Sequence, residues 1–385
     1  MGQWDDELIS LLPSSVRIFA SAGAGYNWAD TDALARKGIW YANGAGASDD
    51  AVSDAALYMI LSVFRNFTRQ QLAARTADPE IFTATHKMIG TISHNPAAHV
   101  LGIIGLGSIS KKLVPKAQAI GMKVHYYDVL RQPLSEEERL DVTYHETPEG
   151  LLGVADCVTL HVPLNAHTKN LINKESIACM KDGARLINTA RGEVVNEEAL
   201  IDALKTGKIS AAGLDVHYHE PQVSPVLVKM DNVTLTTHNG GGVIETRMNF
   251  ELNAMKNILA VVGPDGRVVG KPITPVNRLR SETSEFRTSH NSIILFVPIY
   301  LSSVYQVARI RLDVSKSNYA LAALDCYLSS ALDGMEVAKT TRNRAPPKEE
   351  WERIKPELKR LLIDEKLTLK ETARYLAALQ NFHAS

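Results

Sequence analysis

Cysteine is scarce. Cys157, Cys179 and Cys326 are the three in 385 residues, and their wide spacing makes neither a metal-binding motif nor a disulfide framework. A reducing, cytoplasmic setting fits that usage. Long apolar runs are lacking as well. The most apolar stretch, residues 293–301, is too short to span a bilayer and is interrupted by Pro298. The first residues, Met-Gly-Gln-Trp-Asp-Asp-Glu, are acidic and carry no apolar signal core, and Asp6 stands where a myristoylation motif needs Ser or Thr. An excess of either charge is absent: 42 Lys and Arg face 43 Asp and Glu. The net charge of -1 gives no whole-chain pull toward nucleic acid or membrane. Internal repeats are also absent.

What remains is the composition of a globular protein, 45% hydrophobic and 22% charged, long enough for about two to three domains. Residues 99–110 are the most informative stretch. An apolar run, Val100 to Ile104, ends in Gly105-Leu-Gly107, and a helical pattern follows. That order predicts a phosphate-binding turn, in which Gly105 permits the tight bend, Gly107 lets a pyrophosphate approach, and the helix N-terminus supplies N–H donors. Ser110 replaces the third glycine. After a second apolar strand comes Asp128, about twenty residues on, where a carboxylate can hold a ribose 2′-hydroxyl. Arg131 could meet a 2′-phosphate, but Asp128 would repel one, so NAD is favoured over NADP.

Strands are expected at 16–20 and 38–42, then at 100–104, 123–127, 157–162, 185–189, 211–215 and 233–237. Helices are expected at 49–75, with Ser48 as N-cap, at 196–206 and at 243–262. The alternation over 99–238 predicts an α/β fold with a parallel, doubly wound (Rossmann) sheet. Residues 278–292 are polar without a period, 293–335 are apolar without a clean pattern, and 348–380 read as one or two amphipathic helices.

Three strand ends carry candidate chemistry: Asn188-Thr-Ala-Arg191-Gly192, Gly213-Leu-Asp215 running on to Glu220-Pro221, and Thr237-His238-Asn239-Gly240. In such sheets, ligands bind beyond the carboxyl ends of the strands. An arginine there can grip a carboxylate with two parallel bonds, and a Glu–His pair is a recurring acid–base unit. His217 and His219 read as loop residues, and His161 as a satisfied strand residue.

Together with Leu101-Gly-Ile-Ile-Gly-Leu-Gly107 and Leu160-His-Val-Pro-Leu-Asn165, these segments make residues 15–277 resemble the D-isomer-specific 2-hydroxyacid dehydrogenases, in a fungal branch like glyoxylate/hydroxypyruvate reductases and D-mandelate dehydrogenase. The resemblance implies that Arg191 binds the substrate carboxylate, that His238 is the acid–base residue and that Glu220 pairs with it. It also implies that the amides of Ala24 and Gly25 hold the carboxylate from the opposite domain. Gly105, Gly107, Ser108, Ile109, Asp128, Pro163, Thr189, Ala190, Asp215 and Gly240 would line NAD, with Asp215 near the nicotinamide carboxamide. A homodimer joined through the cofactor domain is implied as well.

The expected domains are a flavodoxin-like substrate domain (1–75 and 243–277), an NAD-binding domain (76–242), an irregular connector (278–343) and a small helical module (344–385). Family members open with a further strand and helix, so an uncovered strand edge is expected in the small domain. Trp351, Lys355-Pro356, Leu361, Asp364-Glu365 and Thr368-Leu369 make residues 346–376 resemble the tryptophan-containing domain of fungal cryptic loci regulators, which are associated with chromatin. Two other readings stay open: an NAD-binding regulatory protein like the C-terminal-binding corepressors, with a nuclear location, and an inactive product of a truncated and fused reading frame.

Overall fold

The computed structural model describes residues 4–12, 15–262 and 268–279, together with the backbone of 294–301 and 304–311. The expected helical module at 344–385 lies outside the described residues.

Two sheets organise the described residues. The smaller contains β1 (Ile18–Ala20) and β2 (Trp40–Ala42), which run parallel with Phe19 opposite Tyr41. Strand alternation sends Ile18, Ala20 and Ala42 to one face, where they pack with Ala254, Ile258 and Val261 of the helix Ile244–Val261. Phe19 and Tyr41 point the other way and pack with Ile9, Leu12, Leu34 and Ile39.

The larger sheet holds β3 (Val100–Ile104), β4 (Lys123–Tyr127), β5 (Val142–Tyr144), β6 (Cys157–Leu160), β7 (Ala184–Asn188), β8 (Ile209–Leu214) and β9 (Val233–Leu235). They are all parallel, in the order β5-β4-β3-β6-β7-β8-β9. Every residue of β6 and β7 is buried, which places these two strands in the middle of the sheet with both faces covered. The chain order reverses between β3 and β6, so the ligand crevice of this fold falls beyond their carboxyl ends.

The helix Asp49–Arg65 lays Ala56, Met59, Ile60, Val63 and Phe64 on one face, at helical spacing. That face packs against Leu101, Ile103, Ile187 and Ala211, residues of the seven-stranded sheet, although the sequence groups it with the smaller unit. Gly213 makes the approach possible, because a Cβ there would lie 2.8 Å from the Met59 Cβ. The helical stretch expected over 49–75 is broken: Asn66 takes a left-handed φ of 52° and separates Asp49–Arg65 from Phe67–Arg75. Asn is among the few residues that accept that conformation. Ser48 occupies the N-cap position but makes no side-chain capping bond.

The connector at 278–343 is not wholly irregular. It contributes β10 (Ile294–Leu301) and β11 (Val304–Arg311), an antiparallel pair. β10 runs parallel to β1 with Phe296 opposite Phe19, giving the sheet order β11-β10-β1-β2. The edge of β1 expected to be uncovered is therefore paired.

Candidate active site

The turn after β3 is built as its glycines require. Gly105 has a φ of +94°, and a Cβ on it would lie 2.6 Å from the His161 carbonyl oxygen. Around Gly107 a Cβ would meet nothing within 4 Å, so the space above the turn is open. Gly107 is the N-cap of the helix Ser108–Ala119 and leaves the first N–H groups, among them those of Ser108 and Ile109, without a side-chain cap. Ser110, at the third-glycine position, is fully buried and donates its hydroxyl to the Gly105 carbonyl at 2.6 Å, which satisfies both groups and ties the helix to the turn. Asp128 follows β4 and accepts the Leu106 N–H at 2.8 Å. The acidic side chain thus sits against the glycine turn, where a ribose would lie.

Across the crevice, Pro163 follows β6, and its carbonyl accepts the Thr168 hydroxyl. Thr189 and Ala190 follow β7. The Thr189 hydroxyl is buried with no hydrogen-bond partner among the described residues, a vacancy for a polar ligand group. An open glycine turn, uncapped helix amides, a carboxylate beside them and an orphan hydroxyl opposite fit a dinucleotide.

Arg191 reaches from the end of β7 toward the smaller sheet. Its Nη1 donates to the Ala190 carbonyl at 2.6 Å, and its Nε lies 3.4 Å from Asn27 Oδ1. Its guanidinium presses on Gly25, where any side chain would overlap it. Burial lowers the Arg191 pKa below its ordinary value, against a smaller opposing pull from Glu220. The Ala24 carbonyl accepts from Asn43 and the Gly25 carbonyl from Trp28 Nε1. Among the described residues, neither the Ala24 nor the Gly25 N–H meets an acceptor.

His238 Nδ1 and Glu220 Oε2 lie 2.7 Å apart. The other Glu220 oxygen accepts the His217 N–H at 2.9 Å. Burial pushes the Glu220 carboxyl up, but the hydrogen bonds from His238 and from the His217 amide outweigh it, and the group sits below its ordinary value. It is a carboxylate at neutral pH. With Nδ1 committed, Nε2 of His238 is the nitrogen left for a ligand.

Asp215, expected near the nicotinamide carboxamide, has a nearer task. It is buried, and its two oxygens accept the Thr236 hydroxyl (2.6 Å), the Asn239 N–H (2.9 Å) and the Gly240 N–H (2.8 Å). Its own carbonyl accepts the His238 N–H at 2.7 Å. This set of bonds holds the loop 236–240 and keeps His238 in a left-handed conformation, φ 54°, that a non-glycine residue rarely adopts. A Cβ on Gly240 would lie 2.8 Å from Asp215 Oδ2, so the loop packs directly on the carboxylate.

Of the loop histidines, His217 is buried with Nε2 at 2.7 Å from the Thr236 carbonyl. His219 is exposed. Sequence reasoning missed Asn27, Thr236 and Asn239 as supporting residues. Asn27 lay in a glycine-rich loop, while the other two are linked to Asp215 only through the fold. A cavity of about 480 Å³ lined by Arg69, Asp156, Lys181 and Arg185 lies at the opposite, amino-terminal end of the sheet and holds none of these groups. Among the described residues, no helix is long and apolar enough to cross a membrane.

A dinucleotide crevice facing a half-buried arginine and a histidine–carboxylate pair defines a nicotinamide-dependent oxidoreductase. The chain belongs to the D-isomer specific 2-hydroxyacid dehydrogenase family, with residues 57–240 matching its NAD binding domain. It is similar to D-mandelate dehydrogenase of Rhodotorula graminis, at 47% identity over 72% of this chain and 80% of that one, with a TM-score of 0.68. It is also similar to glyoxylate reductase 1 of Saccharomyces cerevisiae, at 35% identity over 73% of this chain and 78% of that protein. A third relative, 4-methyl-2-oxopentanoate reductase A of Aspergillus oryzae, is 34% identical over 68% of this chain and 76% of its own length. Residues 347–385 match the Clr5 domain.

Proposed function

We propose that this chain reduces a small 2-keto acid to the D-2-hydroxy acid, with Arg191, His238 and Glu220 as its catalytic residues. The observation that carries this is their arrangement: a guanidinium against Gly25 and an imidazole whose Nδ1 is held 2.7 Å from a carboxylate. NADH, when bound, supplies the hydride. Gly105, Gly107, Ser108, Ile109, Asp128, Pro163, Thr189, Ala190 and Gly240 would hold it, with Asp215 supporting the loop that carries Gly240.

Arg191 grips the substrate carboxylate, helped by the free Ala24 and Gly25 amides, and draws electron density from the adjacent carbonyl. His238 gives its Nε2 proton to the carbonyl oxygen as the alcohol forms, and takes it back in oxidation. Glu220 fixes the ring and balances the imidazolium charge. Closure between the two sheets would exclude water and strengthen the field of Arg191. The names of the relatives span mandelate, glyoxylate and 4-methyl-2-oxopentanoate, so the substrate class is a 2-keto acid of that size range.

A homodimer is part of this reading. The helix Pro79–Ile92 of the NAD-binding half buries none of its residues and exposes Ile81 and Phe82, apolar surface that a second copy would cover. A cytoplasmic location accords with the cysteine usage. The Clr5 match favours a second reading, a chromatin-associated regulatory protein; the complete Arg191, Glu220 and His238 set supports the enzyme instead. Turnover of NADH with 2-keto acids, lost in Arg191→Ala with NADH binding retained, tests the proposal. Loss of both together would make Arg191 structural.

A further inference from the structure

The cation that could accept a 2′-phosphate is already spoken for. Arg131 follows β4 by four residues and Asp128 by three. Its Nε and Nη2 each bond Glu137, at 2.9 Å to Oε1 and 2.9 Å to Oε2. This is the two-point arginine–carboxylate geometry that fixes both planes. Glu137 belongs to the short helix Leu134–Leu140, and its side chain is only 9% exposed while that of Arg131 is 50% exposed. The carboxylate is therefore the anchored member and the arginine is held by it.

Further contacts set the anchor. Tyr126, fully buried on β4, donates its hydroxyl to Glu137 Oε1 at 2.6 Å, and that hydroxyl accepts the Gln132 N–H at 3.0 Å. The Arg131 guanidinium also lies over the Tyr144 ring, 4.8 Å from its centroid. Hydrogen bonds from Arg131 and Tyr126 hold the Glu137 carboxyl below its ordinary value, so it stays charged at neutral pH.

We infer that Glu137 is a positioning residue for cofactor choice: by holding Arg131 in a bidentate pair, it denies that guanidinium to a 2′-phosphate and keeps the crevice selective for NADH over NADPH. Asp128 repels the phosphate directly, and Glu137 withholds the charge that could offset the repulsion. The inference rests on the dinucleotide reading of the crevice. It differs from that reading in assigning preference to a residue that does not touch the cofactor.

Fluorescence titration of the full chain with NADH and with NADPH separates the two. Wild type should bind NADH more tightly; failure to bind NADH would overturn the dinucleotide reading itself. Glu137→Gln keeps an acceptor for Tyr126 but loses the charge that holds Arg131. It should tighten NADPH binding about tenfold and move NADH binding by less than about threefold. Adding Arg131→Ala should abolish the gain, and Glu137→Asp should stay near wild type. An unchanged NADPH affinity in Glu137→Gln, with melting and NADH binding intact, would overturn the inference. So would a gain that survives the loss of Arg131, or one that appears equally for NADH.

Discussion

The guanidinium of Arg191 rests on the backbone of Gly25, joining the end of β7 to the loop after β1 across the gap between the two sheets. Neither residue could make this contact if Gly25 carried a side chain. Gly25→Ala should therefore displace Arg191 while leaving both cores unchanged. The expected outcome is a loss of about a hundredfold in kcat/KM, the scale of an ångström-sized misplacement, with the melting temperature within a few degrees of wild type. Steady-state kinetics and thermal melts on one preparation check it.

His238 and Glu220 should behave as a unit. Glu220→Gln removes the carboxylate that holds the ring and balances the imidazolium, so kcat should fall about tenfold or more while NADH affinity stays nearly unchanged. His238→Gln should cost about 10²–10⁴ in kcat and leave the NADH affinity nearly unchanged. Steady-state kinetics with equilibrium binding check both, and equal rates for wild type and Glu220→Gln would count against the pairing.

Asp215 predicts a different pattern. Asp215→Ala leaves the Thr236 hydroxyl and the Asn239 and Gly240 amides without their acceptor. Unmet buried donors cost about 1–3 kcal/mol each where water cannot reach them. The variant should melt earlier and lose turnover together, because the loop carrying His238 is released. A stable Asp215→Ala enzyme with only weaker NADH binding would instead mean direct contact with the cofactor.

Stability should fall on the acid side for a nameable reason. Burial pushes the His161 imidazole down to about 4, so the folded protein keeps it neutral, whereas the unfolded chain takes up a proton near pH 6.5. The unfolded state thus binds more protons between those values, and stability is lost as the pH drops from about 6.5 toward 4. Above that range His161 contributes no slope. Glu220 is shifted in the same direction, so its contribution is also lost on acidification, but only at lower pH, as the pH falls below the ordinary carboxylate range. His161→Gln should flatten the melting-temperature curve between pH 6.5 and 4 and leave it unchanged at pH 8.

The larger sheet was legible because its signals are local. Gly105-Leu-Gly107 follows the buried apolar run Val100–Ile104, and Lys123–Tyr127 and Ala184–Asn188 are short, largely β-branched, aromatic or aliphatic segments between helical periods. Arg191, Glu220 and His238 could be nominated because each lies in a segment that follows a strand on the ligand side. The rest depends on distant partners. Asn66 breaks a helix whose apolar period continues through it, because its amide meets Ile92 and Ser93, 26 and 27 residues away. β5 is three residues long and only half-buried, too short to leave a pattern. Ser110 looked like a defect in the glycine motif until its bond to Gly105 was seen. β10 carries no signal that it joins β1, since pairing across about 275 residues is written in neither segment.

The most direct test follows NADH absorbance in the purified full chain with glyoxylate, hydroxypyruvate, phenylglyoxylate and 4-methyl-2-oxopentanoate, beside His238→Ala. Oxidation of NADH with at least one of these acids, absent in the variant, is the predicted result. A folded protein that binds NADH and oxidises it with none of them, or does so equally well without His238, would contradict the account.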